Sequence, residues 1–577
     1  MPPATIDGGT GPRPSAAKRV PPTGTTLVSG AAHAPGIARR PAGAGGTAGR
    51  FGATAAAWLA DRPRTALALA SVAAFLVAFV LRIAFLARSY DLFVDEVTYY
   101  SISNAVASGR GVTLHGQPFL LHPPLFFLIE AAYIHVVHPT GNLIAQVLAV
   151  RPLNAFLAAL GAAVLLIVAT LASRDLRAGL VAVALFVIDP FILVMNSRNL
   201  LETSMMLWIL LGYAVLLSTP RGPLSTRRAV LTGILFGLAL LTEELAAFLT
   251  LLPMAVLWAT GWWGRRRDPL LVAAAALALY AVYPIGSVLA GVGPAFVTAK
   301  FSGVLRLIGV VKTTGFRASG PSFAQAVVDN ADIFATTYAL MALGIPAGVV
   351  LLRWGDRTRR VLAALLGSAY AMLAYSIKFG TLEEQFFYYL MIPAVIAVPV
   401  AWFLVLDVVD PQGAVRHRLA GGLVELARRV APVLFALSIA WSSFVWLQVH
   451  LTPDNGYQRL EAYLRSHIPD GTAIGVTSDP QQFVLQGYRI DQVRTASDIH
   501  RTGVSYVVIS TKQIQDGYVQ HGATLYAWLL ANGQPMYVFH GATYGDLEVF
   551  RVDAATADGA GAPTPGAAGA TAGHAAP

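Results

Sequence analysis

The chain has 577 residues, of which 55% are hydrophobic and 12% charged, and its mean hydropathy is +0.59. A soluble globular protein carries about 25% charged residues, so this composition excludes an ordinary soluble domain and indicates long membrane-spanning runs. The net charge of +10 comes from arginines in short loops between apolar runs, which is typical of cytoplasmic loops and not of a nucleic-acid-binding face. The sequence has no cysteine, which excludes disulfides, thiolate metal sites and cysteine nucleophiles.

The N-terminal segment, residues 1–64, is rich in Gly, Ala, Pro, Thr and Arg and lacks apolar periodicity. We expect it to be a disordered cytoplasmic tail, without a cleaved signal peptide. The first span is predicted over residues 66–87. It contains one charge, Arg82, which we expect to snorkel to the outer end.

The next apolar run, residues 123–137, is short for a span and contains Glu130 and His135. Runs of this length more often lie in the interface or re-enter. If the run stays outside, the arginine clusters of all later basic loops fall on the cytoplasmic side, whereas a spanning run would move each of them outside. The charge pattern therefore favours an interfacial helix.

The fold class that we predict is a polytopic α-helical membrane protein of about eleven spans, with its C-terminus outside. The transmembrane domain covers residues 65–450, and its first outer loop covers residues 88–150. The spans after the first are predicted at 152–171, 178–195, 202–218, 229–243, 245–262, 269–290, 331–352, 361–377, 385–406 and 428–450.

From residue 451 the composition changes. A helix at 457–467, strands at 473–477 and 506–510, a helix near 523–532 and strands at 536–540 and 547–552 predict a small extracytoplasmic α/β domain over 451–553. Residues 554–577 are an Ala/Gly/Pro/Thr segment that we expect to be disordered.

The first outer loop contains the adjacent carboxylates Asp95 and Glu96, followed by Tyr99. Desolvation beside hydrocarbon favours the neutral carboxyl and so raises its basicity, which suits a general base acting on a hydroxyl. A solvated loop, or a helix N-cap with Asp95 capping residues 96–107, is an equal alternative.

A second polar group lies between two predicted spans, at residues 196–202, on the same outer side as Asp95. Arg198 and Glu202 are either site residues or an ordinary i,i+4 ion pair at a helix end. Asp189 lies inside the preceding span, where an ionisable group costs about 2.5–3.5 kcal/mol and needs a partner or a role.

Histidines form a third group. His122, before Pro123 and Pro124, is placed to meet a lipid phosphate together with free backbone N–H groups, although a lone histidine is more often structural. The nearby His115, His135 and His138 are an alternative metal site, in which His135 and His138 would share a face if the helix reaches that far, but their spacing is weak evidence. We predict no metal and no cofactor, with a divalent cation as the alternative.

A fourth group, Lys378, Glu384 and Gln385, again falls outside between two spans. These side chains suit a pyranose or a phosphate, and equally an ordinary solvated turn.

Four short motifs stand in order along the chain: Asp95-Glu96-x-x-Tyr99, His122-Pro-Pro-Leu125, Arg151-Pro-Leu-Asn154 and Arg198…Glu202. Their order resembles the GT-C superfamily, and more narrowly the protein O-mannosyltransferases and bacterial lipid A aminoarabinose transferases. The resemblance implies a polyprenyl- or dolichyl-phosphate sugar donor, an extracytoplasmic active site and Asp95 as the base. The chain departs from the pattern at Glu202, where the family more often has Asp, at Glu243, where relatives frequently have Lys, and at His122, which replaces a Lys of some members.

The function predicted from the sequence is an inverting glycosyltransferase of the cell membrane that uses a polyprenyl-phosphate sugar and a protein, lipid or glycan acceptor. The predicted catalytic residues are Asp95, Glu96 and Glu202, and the substrate-binding residues are Tyr99, His122, Arg198, Lys378, Glu384 and Gln385. A transporter or flippase of lipid-linked sugars is the main alternative, and a membrane scaffold the other. A transporter predicts ionisable groups at the midplane, whereas the polar groups here crowd the outer loops.

Overall fold

The computed structural model describes residues 62–219, 222–308, 310, 322–378, 385–408 and 418–553. Apart from residues 62–64, the two predicted disordered tails lie outside these ranges. Within them the chain is mainly α-helical and ends in a five-stranded sheet with flanking helices.

The first half of the helical region contains residues 88–150, the predicted first outer loop, and the helices that surround it. A small hairpin of strands β1 (Thr113–Leu114) and β2 (Gln117–Pro118) separates the second helix from the third. The helices are α1 (Pro63–Ile83), α2 (Val94–Ala107), α3 (Leu125–Val137), α4 (Leu143–Ser173), α5 (Leu176–Ile188), α6 (Pro190–Ser197), α7 (Leu201–Leu217) and α8 (Thr226–Thr242).

The second half begins with a 3₁₀ helix at Glu244–Phe248 and continues with longer helices. These are α9 (Leu251–Thr260), α10 (Arg267–Tyr280), α11 (Val282–Leu289), α12 (Gly293–Leu307), α13 (Phe323–Asp329), α14 (Ala331–Trp354), α15 (Arg357–Lys378), α16 (Phe386–Val408) and α17 (Arg418–Leu451).

Seven of the described helical segments are long and apolar enough to cross a membrane, or eight if the bent pair α5–α6 counts as one span. Each of the eleven predicted spans falls on helical residues, but the number eleven stays a prediction. The predicted span at 178–195 is broken by a 63° bend, because Pro190 has no N–H to continue the ladder. At the break the Asp189 carboxylate accepts hydrogen bonds from the Ile192 N–H at 3.0 Å and the Thr337 hydroxyl at 2.9 Å, so this acidic group has partners.

The prediction that Arg82 snorkels is wrong, because its side chain is fully buried. Its Nε and Nη2 donate to Asn196 Oδ1 at 3.2 and 3.0 Å, and Nη2 also donates to the Phe186 carbonyl at 3.3 Å. A buried guanidinium is tolerated when its donors are paired in this way.

The C-terminal region begins with α18 (Gly456–His467) and builds a mixed sheet in the order β4-β3-β5-β7-β6. Strand β3 is parallel to β4 and β5, while β7 is antiparallel to β5 and β6. The remaining elements are β3 (Ala473–Val476), α19 (Asp479–Val484), β4 (Arg489–Gln492), α20 (Ala496–Thr502), β5 (Tyr506–Ser510), α21 (Thr511–Gln515), α22 (Gly522–Asn532), β6 (Gln534–Gly541) and β7 (Gly545–Arg551). The predicted C-terminal α/β sheet is thus present, with β4 and three short helices beyond what was predicted.

The sheet region packs on the first outer loop. Leu92 and Val97 of that loop share one buried apolar cluster with Tyr457 and Leu547. The Tyr457 N–H donates to Asp91 Oδ2 at 3.0 Å, and the Tyr544 hydroxyl donates to the Leu92 carbonyl. These contacts place the turn between β6 and β7 close to the polar residues described next.

Candidate active site

The carboxylates of the first outer loop lie in the first turn of α2, which begins at Val94. Glu96 Oε1 accepts a hydrogen bond from the Phe93 N–H at 2.8 Å, so Glu96 caps the helix and Phe93 is the N-cap. The alternative in which Asp95 is the N-cap is therefore wrong. Asp95 is half-buried, and Glu96 is fully buried.

Glu96 is held by Arg151 of α4. Nη2 of Arg151 lies 2.6 Å from Glu96 Oε1 and Nε lies 3.0 Å from Oε2, a bidentate pair with both side chains fully buried. Arg151 also donates to the carbonyls of Leu86, Tyr90 and Asp91 at 2.7–3.1 Å. The pair fixes the start of α2 against α4.

The segment between α6 and α7 is clamped from three helices. The backbone N–H of Asn199 donates to Glu96 Oε2 at 3.1 Å. The side-chain Nδ2 of Asn199 donates to Glu130 Oε1 at 2.5 Å, and the Ser103 hydroxyl donates to Glu130 Oε2 at 2.7 Å. The Asn154 amide of α4 donates to the carbonyls of Arg198 and Leu200, both at 2.7 Å. This network fixes the backbone between Arg198 and Glu202.

Arg198 and Glu202 do not form the ion pair considered from the sequence. Arg198 has an extended backbone, at φ −94° and ψ 155°, and α7 starts at Leu201, so the two residues do not share a helix face. Nη2 of Arg198 donates to the Thr543 hydroxyl at 3.1 Å, and the guanidinium lies 5.1 Å from the centre of the Phe93 ring. Glu202 Oε2 is buried and has no hydrogen-bond partner in the described part of the chain.

His122 lies immediately before α3, and its Nδ1 is 2.6 Å from Glu243 Oε2. Burial by itself lowers the pKa of His122, but the Glu243 carboxylate raises this pKa above its ordinary value, and Asp95 and Glu202 act in the same direction. Glu243 thus contacts the imidazole directly, while Asp95 and Glu202 act on it electrostatically. Tyr99 is buried with its ring edge-on to His122, 5.8 Å between ring centres.

The backbone around His122 is anchored by residues that sequence reasoning did not select. The Tyr283 hydroxyl donates to the carbonyls of Leu120 and His122, at 3.0 and 3.2 Å. Lys300 Nζ donates to the Leu121 carbonyl at 2.8 Å and lies 2.5 Å from Glu244 Oε1. The adjacent acids Glu243 and Glu244 are the sequence signal for this group. Their partners, His122 and Lys300, are distant in sequence, so the sequence does not show the pairing.

The fourth predicted group is placed only in part. Lys378 is exposed at the C-terminal end of α15, Gln385 directly precedes α16, and Glu384 lies outside the described residues. The rings of His135 and His138 are 5.7 Å apart. Across the residues that the structure describes, there is no group of three or more His, Asp or Glu side chains arranged for a metal ion.

Comparisons with known proteins bear on this arrangement. The family model described as dolichyl-phosphate-mannose-protein mannosyltransferase matches residues 72–289. The structure is similar to the oligosaccharyltransferase AglB from Archaeoglobus fulgidus, solved with an inhibitory peptide and a dolichol-phosphate, at TM-score 0.54 and 14% identity over 85% of this chain and 74% of that one. It is also similar to ArnT from Cupriavidus metallidurans, solved with undecaprenyl phosphate, at TM-score 0.50 and 15% identity over 84% of this chain and 97% of that one. A search of curated proteins gives no significant match.

Proposed function

We propose that this chain is a membrane glycosyltransferase of the GT-C superfamily, as the family-model match and the similarity in fold to AglB and ArnT support. It transfers a sugar from a polyprenyl-phosphate donor to a hydroxyl of a protein, lipid or glycan acceptor, on the extracytoplasmic side of the cell membrane and with inversion. The lipid phosphates bound by AglB and ArnT support this donor class.

The observation that carries the proposal is the 2.6 Å contact of the buried Glu243 carboxylate with His122 Nδ1, at an imidazole on which Asp95 and Glu202 also act electrostatically. Acidic and basic groups that perturb one another are typical of active sites. These residues come from the predicted first outer loop, the start of α7 and the end of α8.

In the proposed reaction Asp95 is the general base. Its carboxylate takes the proton of the acceptor hydroxyl while that oxygen forms a bond to the anomeric carbon. The bond from the anomeric carbon to the phosphate oxygen breaks, and its electron pair leaves with the polyprenyl phosphate. A single displacement of this kind inverts the anomeric configuration.

Two basic side chains are proposed to stabilise the leaving group. His122, whose pKa the Glu243 carboxylate raises, and Arg198 would stabilise the charge that develops on the lipid phosphate. Glu202, and Tyr99, whose ring contacts His122, would orient the sugar or the acceptor. Lys378, Glu384 and Gln385 remain proposed substrate contacts.

Glu96 receives a different role from the catalytic one predicted from the sequence. Both of its oxygens are engaged by Arg151, Phe93 and Asn199, so we assign it to positioning. It fixes the turn that presents its neighbour Asp95.

The proposed topology keeps about eleven spans, the N-terminus in the cytoplasm and α3 in the interface. The proposed domains are the transmembrane domain at 65–450 and the extracytoplasmic α/β domain at 451–553. The apolar faces of α3, with Leu128 and Val136 exposed, suit a helix lying along lipid.

A panel of purified polyprenyl-phosphate sugars with hydroxyl acceptors tests the reaction. We expect the protein to release polyprenyl phosphate and form an inverted glycoside, and Glu202→Gln to lower the rate. Glu425→Gln is the matched control, because Glu425 is an exposed acid paired with Arg429 of the same helix, and it should leave the rate unchanged. Lack of transfer from every donor, with movement of lipid-linked sugar across proteoliposomes, would favour the transporter instead.

A further inference from the structure

We propose that the C-terminal α/β region is part of the active site, because Thr543 and Asp454 position Arg198 for the donor phosphate. The inference rests on the proposed function, in which Arg198 binds that phosphate. Thr543 lies in the turn between β6 and β7, and Asp454 lies between α17 and α18.

Arg198, Thr543 and Asp454 form a chain of hydrogen bonds in which each residue donates to the next. The Thr543 hydroxyl donates to Asp454 Oδ2 at 2.6 Å, and the Thr543 N–H lies 3.2 Å from the same oxygen. A hydroxyl has one proton, so once that proton is given to Asp454 the oxygen can only accept, and it accepts from Arg198 Nη2 at 3.1 Å. The carboxylate thus sets the orientation of the hydroxyl, and the hydroxyl sets the orientation of the guanidinium.

Asp454 is itself fixed to the first outer loop. Its N–H donates to the Arg88 carbonyl at 2.7 Å, and its Oδ2 is approached by the Asp91 N–H at 3.4 Å. The neighbour of Thr543, Tyr544, donates to the Leu92 carbonyl. The turn that carries Thr543 is therefore anchored to the same loop that carries Asp95.

Arg198 keeps donors for a ligand. It is only 6% exposed, yet its Nε is buried and has no hydrogen-bond partner among the described residues. The acceptor that Arg198 contacts, the Thr543 hydroxyl, is neutral. This contact therefore does not neutralise the positive charge of Arg198. A planar guanidinium whose Nε has no partner among the described residues matches the geometry of a phosphate.

The test uses Thr543→Val, which keeps the shape of the side chain and removes the hydroxyl, and Thr543→Ser, which restores it. The readouts are the Kd for undecaprenyl phosphate and the separate KM and kcat for the sugar donor. We expect Thr543→Val to raise both Kd and KM by about tenfold, the size of one hydrogen bond to a charged group, and Thr543→Ser to restore them. Thr472→Val is the matched control, since the Thr472 hydroxyl contacts only the Pro469 carbonyl on the surface.

The possible results separate the two claims. If Arg198→Gln weakens undecaprenyl phosphate binding and Thr543→Val does not, the positioning role is overturned while the proposed function stands. If Arg198→Gln also leaves the Kd unchanged, the assignment of Arg198 to the phosphate fails as well. Should Thr543→Val not fold, Asp454→Asn replaces it: a raised Kd supports the role, and a wild-type Kd overturns it.

Discussion

Arg151 and Glu96 form a bidentate ion pair in which Nη2 lies 2.6 Å from Oε1 and Nε lies 3.0 Å from Oε2, and neither side chain is exposed. Removing one partner of a buried pair leaves an uncompensated charge, which costs about 3–5 kcal/mol. We therefore expect Arg151→Met to lower the thermal unfolding midpoint of the purified protein strongly.

The matched control for that substitution is Arg489→Met, which breaks a pair with Asp491 on the surface. Exposed pairs contribute about 0–1 kcal/mol, so its midpoint should stay near the wild-type value. Equal losses in the two variants would show that the Arg151 pair does not hold the first outer loop.

The His122–Glu243 pair predicts a pH dependence of donor binding. Because Glu243 raises the pKa of His122, the imidazolium persists to higher pH than usual, and the KM for the donor should rise only as the pH passes this raised pKa. Glu243→Gln should move that rise to lower pH, measured between about pH 5 and 9. Glu425→Gln, which removes an exposed acid paired with Arg429, should leave the profile in place. An unchanged profile in Glu243→Gln would refute the pairing.

The same pair has a consequence for stability. The folded-state pKa of His122 lies above the unfolded value of about 6.5, so the pair stabilises the fold fully below that value. This stabilisation is lost as the pH rises through the folded-state pKa. The unfolding midpoints of wild-type protein and Glu243→Gln should therefore differ more at acidic than at alkaline pH, and a difference that grows with pH would have the wrong sign.

Gly456 tests the contact between the α/β region and the first outer loop. A Cβ added there would lie 2.5 Å from Leu547 Cδ1, 2.9 Å from Asp91 Oδ2 and 2.9 Å from Phe539 Cδ1. Such overpacking costs about 1–3 kcal/mol, so we expect Gly456→Ala to expose the C-terminal region to limited proteolysis. Gly367→Ala, where a Cβ meets nothing within 4 Å, is the control; equal protease resistance would show that the junction tolerates the shift.

The part of the fold that was predictable from the sequence is the part with local signals. Apolar runs predicted the long helices, and short runs rich in β-branched and aromatic residues predicted β3, β5, β6 and β7. Strand β4 reads Arg-Ile-Asp-Gln, which has no such signal, and it becomes a strand only by pairing with β3. Arg82 was misplaced because its partner Asn196 is 114 residues away.

The candidate site divides in the same way. Asp95 and His122 lie in short polar motifs beside apolar runs, so the chemistry of each is visible in the sequence. The ion pair of Arg151 with Glu96 joins residues that are 55 positions apart in the sequence. The hydrogen bond from Arg198 to Thr543 joins residues that are 345 positions apart. No local pattern encodes such contacts, because they arise from helix packing and from the docking of the sheet.

The most direct test of the central claim is a single-turnover measurement with Asp95→Asn and a sugar donor that the wild-type protein uses. A general base contributes about 10²–10⁴-fold to a rate. The proposed mechanism predicts that this variant binds undecaprenyl phosphate with the wild-type Kd. It also predicts that the variant forms polyprenyl phosphate from the sugar donor at least about 100-fold more slowly than the wild-type protein. Release at the wild-type rate would contradict the assignment of Asp95 as the base.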